Sequence, residues 1–275
     1  MHDRDRTPPR TPDEGQRDSY ICRLSQLLYR KLSRRFRSHR HQNELDTLAW
    51  GRRYLPRHFH RRPSVMHGWL GENLADMHLR RGINQNVIGP RGVGKSTIGR
   101  LGYMLRAALE ACEPYVWLVS DTKDQAHTHL ENIRAELENN PLLARDFPLA
   151  TGRGARWSRS CLTLPHGVVI EGFGTGQRLR GRRKRESRPT LIVCDDLQND
   201  DHTASATLRE SSTRWFHGTL LKAGTKRTNI LNLATALHRD ALAMQLDRNP
   251  GWCSKKFKAI LEWPATEALW KKWET

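Results

Sequence analysis

The sequence predicts an α/β fold with a mainly parallel central sheet flanked by helices. Three observations carry that expectation. From residue 83 onward short apolar runs alternate with segments of helical periodicity. One run, TLIVC at 190–194, is apolar on both faces, as in strands buried between two helix layers. A glycine-rich loop, GPRGVGKST at 89–97, falls between a brief strand and a helix.

The elements follow in order. Val87 and Ile88 form the apolar run that enters the loop, and behind it Ile98, Leu101, Leu105, Leu109 and Cys112 recur at helical spacing. YVWLV at 115–119 reads as a buried strand. Its end, Ser120, Asp121 and Thr122, supplies caps for a helix lined by Ala126, Leu130, Ile133 and Leu137, which should stop before Pro141. GVVIEGFG at 167–174 and the 190–194 run are further strands. A helix carrying Leu208, Trp215, Phe216 and Leu220 comes next, then a strand over 229–233 and a helix over about 239–246. No internal repeat is visible.

The loop fits G-x-x-x-x-G-K-[ST], which has a mechanical meaning. Gly89, Gly92 and Gly94 let the backbone turn tightly, so that successive N–H groups and the following helix N-terminus face a phosphate chain. Pro90, Arg91, Val93 and Thr97 complete the cradle. Lys95 brings a point charge to the β- and γ-phosphates, and the Ser96 hydroxyl is placed to ligate Mg²⁺. The expected cofactors are therefore ATP and Mg²⁺. Hydrolysis needs further acids, and TLIVCDD places two at a strand tip: Asp195 suits the magnesium shell, and Asp196 suits the positioning of water. Both acids could instead simply end a strand in solvent. Arg91 is in reach of the γ-phosphate, and Arg180, within GQRLRGRRKRESR, is a candidate to act from a neighbouring subunit. A solvated loop or a DNA phosphate track is the other reading of that run; Arg182, Arg183, Lys184 and Arg185 suit phosphate contacts.

The chain has 275 residues, of which 37% are hydrophobic, enough for a real core. Its formal net charge of +18 makes nucleic acid the first candidate partner, since self-repulsion of that size calls for a polyanion. An anionic membrane surface is the second, but no apolar run is long enough to span a bilayer and the opening MHDRDRTPPR is too polar for a signal peptide. Five cysteines, Cys22, Cys112, Cys161, Cys194 and Cys253, form no C-x-x-C pair, so neither a zinc site nor a disulfide framework is expected and a reducing cytoplasm suits them. Residues 1–45 read as a basic, largely mobile arm with a short amphipathic stretch over 21–32, either a nucleic-acid contact or a solvated tail. Residues 46–255 form the expected ATPase domain, and 256–275 a tail or linker.

The order of these motifs resembles the large terminase subunit of tailed bacteriophages, the motor that packs DNA into a capsid. The likeness runs from about Leu48 to Trp263. It takes in WGRRYLPRHFHRRPSVMHGWL, PRGVGKST, WLVSDTKDQAHTHLENIRAELENNPLLARDFP, GFGTGQRLRG, RPTLIVCDDLQND and ILNLATALHRD. It implies a P-loop NTPase of the RecA-like (ASCE) type and ATP-driven translocation of double-stranded DNA. It also implies a portal protein and a small terminase subunit as partners, a homo-oligomeric ring on the capsid, a location in the host cytoplasm, and no membrane. By the same resemblance Trp50 and Tyr54 are candidates to contact the base, with a core or surface role as the alternative, and Thr235 would sense the γ-phosphate state, with an ordinary strand-end hydroxyl as the alternative. Two departures are visible. Many members place glutamate where Asp196 stands, which leaves Asp200 or Asp201 as alternatives for the water-positioning acid. After Trp252 the only acids are Glu262, Glu267 and Glu274, so no nuclease activity is expected from this chain. A helicase-like ATPase, or a nucleotide-binding remnant without turnover, are the other readings of the same residues.

Overall fold

Period-two alternation inside the strands divides the core into two layers. Val116, Leu118, Leu191 and Val193 face one cluster with Leu70, Leu105 and Ile133, whereas Trp117, Val119, Ile192 and Cys194 face another with Phe173, Phe216 and Leu246. Strands that are apolar on both faces need helices on both faces, which is the arrangement found.

The computed structural model describes residues 46–179, 181, 187–262 and 272. Residues 1–45, Arg180 and the basic run Arg182, Arg183, Lys184 and Arg185 lie outside the described residues, so the arm and the proposed arginine contacts are not placed. The described residues belong to the compact unit Leu45–Thr275. Two helices come first, α1 (Thr47–Tyr54) and α2 (Val65–Leu79), then β1 (Asn84–Ile88). After the glycine-rich loop a π-helical segment, Thr97–Tyr103, runs into α3 (Met104–Leu109). β2 (Tyr115–Ser120), α4 (Lys123–Asn139), α5 (Pro141–Asp146), β3 (Cys161–Thr163), β4 (Val169–Gly174) and β5 (Leu191–Asp195) follow. The last elements are α6 (Asp200–Ala204), α7 (Ala206–Trp215), a π-helical Phe216–Leu220, α8 (Leu221–Ala223), β6 (Asn229–Ala234), α9 (Leu242–Arg248) and β7 (Cys253–Lys256).

The seven strands lie in the order β3-β4-β2-β5-β6-β1-β7, parallel throughout except for the β3–β4 pair. Six C-terminal strand ends therefore share one edge of the sheet, where the loops after β1, β5 and β6 meet. The close approach of the first helical turns to the sheet depends on Gly99, where an added Cβ would lie 2.8 Å from the Leu233 side chain. Among the described residues no helix is long and apolar enough to cross a membrane.

Several expectations shift. The helical spacing that extends to Cys112 stops earlier: α3 ends at Leu109, and Ala111 takes a left-handed φ of 54° that turns the chain out of the helix. Pro141 does not merely end a helix but starts one, with the Asn140 side chain accepting from the Leu142 and Leu143 amides. The helix expected over 239–246 forms over Leu242–Arg248, because 238–241 close a turn in which the Ala241 amide donates to the His238 carbonyl. β3 and β7, both short edge strands, are additions. With β7 and the Phe257 amide bonded to the Ile88 carbonyl, the sheet reaches into the segment set apart as a tail.

Candidate functional site

The glycine-rich loop leaves β1 through backbone that only glycine adopts freely, with φ of 77° at Gly92 and 80° at Gly94. His67 of α2 supports it from below. Its Nδ1 accepts from the Ser64 amide at 2.8 Å, which fixes the proton on Nε2, and Nε2 donates to the Val93 carbonyl at 2.7 Å. Lys95 then turns inward and is almost fully buried.

Five side chains converge above the strand tips. The Lys95 ammonium donates to Thr235 Oγ1 at 3.0 Å and lies 3.5 Å from Asp196 Oδ2. The Thr235 hydroxyl donates in turn to Asp196 Oδ1 at 3.2 Å. The Ser96 hydroxyl donates to Asp195 Oδ1 at 2.7 Å. Lys95, Ser96, Asp195, Asp196 and Thr235 thus meet in one place, although they come from the ends of three different strands and the segments that follow them.

Two adjacent carboxylates repel each other unless each has its own cation. The backbone provides for this. Asp196 sits in the left-handed region at φ 46°, a conformation that aspartate tolerates better than most residues, and this swings it away from the line of β5. Asp196 faces Lys95, while Asp195 faces Arg100, whose Nε donates to Asp195 Oδ2 at 2.8 Å. Burial pushes the Asp196 carboxyl above its ordinary value, and the Lys95 charge pulls it back. Burial also lowers the Arg100 guanidinium, with the Asp195 carboxylate opposing that shift. His129 of α4 places Nε2 3.8 Å from Asp195 Oδ2, and burial together with the Arg100 charge depresses it to about 4, so its ring is neutral at neutral pH.

Arg100, His129 and His67 were not singled out from the sequence. Arg100 falls within the helix after the loop, where an arginine reads as a solvated charge, and His129 lies amid a mixed-polarity helix. Only the contact of the Thr97–Tyr103 segment and α4 with the tip of β5 gives Arg100 and His129 a role, and only the packing of α2 against the glycine loop gives one to His67.

The remaining site residues occupy the rim. Arg91 is exposed, and its Nη2 donates to Asp200 Oδ2 at 2.7 Å. Asp200 begins α6, a helix held to the end of β2 by Asn199, which donates to Asp121 Oδ2, and by His202, whose Nδ1 lies 2.7 Å from Asp121 Oδ1. Beside the glycine loop opens a cavity of about 520 Å³, lined by Arg52, Phe59, His60, Arg62, His67 and Thr97 among others. Trp50 and Tyr54 do not line it. Spaced four residues apart on α1, they share its core-facing side, both 7% exposed, with ring centroids 5.0 Å apart. Tyr54 also packs edge-on to Phe147 and donates to Asp146 Oδ2 at 2.9 Å. It borders a separate cavity of about 360 Å³ between α1 and the α4–α5 corner. The aromatic segment does reach the site, but through Phe59 rather than through Trp50 or Tyr54.

No protein-family model matches the chain, and no curated protein matches it.

The donor set suits a triphosphate and a hard divalent cation. Ser96 Oγ and Asp195 Oδ1 are adjacent oxygen donors of the kind Mg²⁺ selects. The loop amides and Lys95 provide the positive field for phosphate.

Proposed function

We propose that this chain is a Mg²⁺-dependent ATPase of the P-loop, RecA-like (ASCE) type, acting as the motor domain of a terminase large subunit that drives double-stranded DNA into a capsid. The observation that carries the reading is the convergence of Lys95, Ser96, Asp195, Asp196 and Thr235 within hydrogen-bonding or ion-pair distance at the C-terminal edge of a parallel sheet. The strand order supports it too: β6 lies between β1, which bears the glycine loop, and β5, which bears the acids, and so brings Thr235 to the midpoint of the site.

In this reading Ser96 and Asp195 hold the magnesium ion, whose role is to neutralise charge on the phosphates. Lys95 exchanges its contacts with Thr235 and Asp196 for phosphate oxygens. Asp196, freed of that cation and kept from full solvation, accepts a hydrogen bond from the attacking water and orients it. Asp200 is the weaker choice for that role, since it is exposed and already paired with Arg91. Arg91 on the rim is placed to neutralise charge at the outer phosphate. Thr235, bonded to both Lys95 and Asp196, feels any movement of either and passes it to β6 and the turn before α9. Phe59 and Arg52 offer an aromatic face and a cation to the base and sugar. The net charge of +18 supplies the field for DNA. The portal protein, the small terminase subunit and a ring of copies belong to the same proposal.

The test is Mg²⁺-dependent phosphate release from ATP, with and without duplex DNA. Turnover should rise with DNA and vanish in Lys95→Ala; full turnover in that variant would refute the site. Tight ATP binding without turnover, even with DNA added, would favour the nucleotide-binding remnant.

A further inference from the structure

At the opposite end of α2 from the glycine loop, three donor groups of different chemistry face one another. His78 lies in the last turn of α2, Glu110 caps α3, and Cys112 follows two residues later. His78 Nε2 is 2.8 Å from Glu110 Oε2 and 3.3 Å from Cys112 Sγ. All three donor atoms lie within 4.8 Å of one another. A ring nitrogen has a single in-plane direction, along which one proton serves one acceptor. A carboxylate oxygen and a sulfur converging on the same nitrogen are poorly explained as two hydrogen bonds. Donors gathered in this way are what a shared metal centre requires.

The backbone and the surroundings are shaped to that end. Ala111, between the two ligands of the turn, is one of two non-glycine residues with positive φ among the described residues, and the turn it makes puts Glu110 and Cys112 on the same side. The second carboxylate oxygen of Glu110 is held by the buried Arg106, whose Nε donates to Oε1 at 2.8 Å, leaving Oε2 to point at the cluster. The edge-on Tyr103 ring, 6.3 Å from the imidazole, walls one side.

We propose that His78 Nε2, Glu110 Oε2 and Cys112 Sγ bind a zinc ion in a three-residue tetrahedral site, with solvent in the fourth position, that ties the end of α2 to the end of α3. One nitrogen, one oxygen and one sulfur donor form a borderline set that fits Zn²⁺ rather than Mg²⁺ or Ca²⁺. Partial exposure of Glu110 and Cys112 leaves an entry path. The site lies eleven residues along α2 from His67, about 16 Å of helix, and so stands or falls independently of the ATPase reading. Its role is to fix α2, whose other end supports the glycine loop.

The experiment titrates the chelator-stripped full-length chain with Co²⁺ and then displaces it with Zn²⁺. The expected result is one equivalent of cobalt with tetrahedral visible bands and a near-ultraviolet sulfur-to-cobalt band. Zinc should abolish both and raise the melting temperature. Cys112→Ser should lose the sulfur band and weaken binding at least about tenfold, the lower end of what loss of even a supporting contact costs. Cys253→Ser, a control for the remaining thiols, should keep both. Should Cys112→Ser fold poorly, zinc-edge X-ray absorption on the wild-type chain replaces it, with one sulfur among the ligands expected. No stoichiometric cobalt binding, a sulfur band that survives in Cys112→Ser, or a zinc edge without sulfur would each overturn the proposal.

Discussion

Replacing Asp195 with asparagine tests the electrostatic arrangement of the site most directly. Asp195 and Arg100 are both largely withdrawn from water, with side-chain exposures of 4% and 12%, and meet at 2.8 Å. Two unit charges about 4 Å apart at an effective dielectric near 20 attract by about 4 kcal/mol. Removing one partner of such a pair costs about 3–5 kcal/mol, because the other charge stays buried and uncompensated. The asparagine oxygen still accepts from Ser96, so the variant isolates the loss of charge. Asp195→Asn should therefore lose about 3–5 kcal/mol in urea unfolding followed by tryptophan fluorescence. Adding Arg100→Met removes the stranded cation and should restore most of that stability, while ATP hydrolysis stays absent in both variants because the magnesium ligand is gone. If Asp195→Asn unfolds at the wild-type midpoint, or the double variant is no more stable than the single one, the buried pair described here is wrong.

Thr235→Val keeps the shape but removes the acceptor for Lys95 and the donor to Asp196. With about 1.5–3 kcal/mol for a hydrogen bond to a charged group, single-turnover phosphate release should slow roughly 10- to 100-fold, and binding of a fluorescent ATP analogue should persist. Equal losses in both measurements would contradict a coupling role. Phe59→Ala should weaken ATP binding by the folded protein and also cost some stability, because the ring packs against Gly51 and Gly102, whereas Trp50→Ala should cost about 3–5 kcal/mol of stability and leave the affinity of the folded protein intact; the reverse pattern of affinities would put the base on Trp50. Burial holds the Cys161 thiol up at about 11 from an ordinary value of 9.0. Between these values the native state keeps a proton that the unfolded chain releases, so stability falls as pH rises through that window, by up to about 1.4 kcal/mol per pH unit. Unfolding curves at several alkaline pH values should be flatter for Cys161→Ala, and parallel curves would show that the thiol is solvated.

Much of the fold is legible because strand and loop signals are local. YVWLV and TLIVC bury both faces, so they read as strands without knowledge of their neighbours. β3 and β7 escape notice because three- and four-residue edge strands carry too little pattern to separate from loop, and only pairing with β4 and β1 defines them. α1 is a similar case. Its tryptophan and tyrosine suit a base contact as well as a core, and the choice rests on Phe147 and Asp146, nearly a hundred residues away. The cysteines show the same limit. Spacing along the chain offers no metal pair, yet folding sets Cys112 beside His78 across 34 residues.

The chain alone determined the chemistry to be looked for: a glycine loop that lets backbone amides face phosphate, a lysine and a serine behind it, and two acids at a strand tip. Those properties are local, set by residue type and by spacing within a few positions. The tertiary structure decided the partners. Arg100 took Asp195, Thr235 came to lie between Lys95 and Asp196, and Phe59 rather than Trp50 reached the cavity. Such choices depend on which strand tips become neighbours, and strand order is a long-range property of how the helices cover both faces of the sheet.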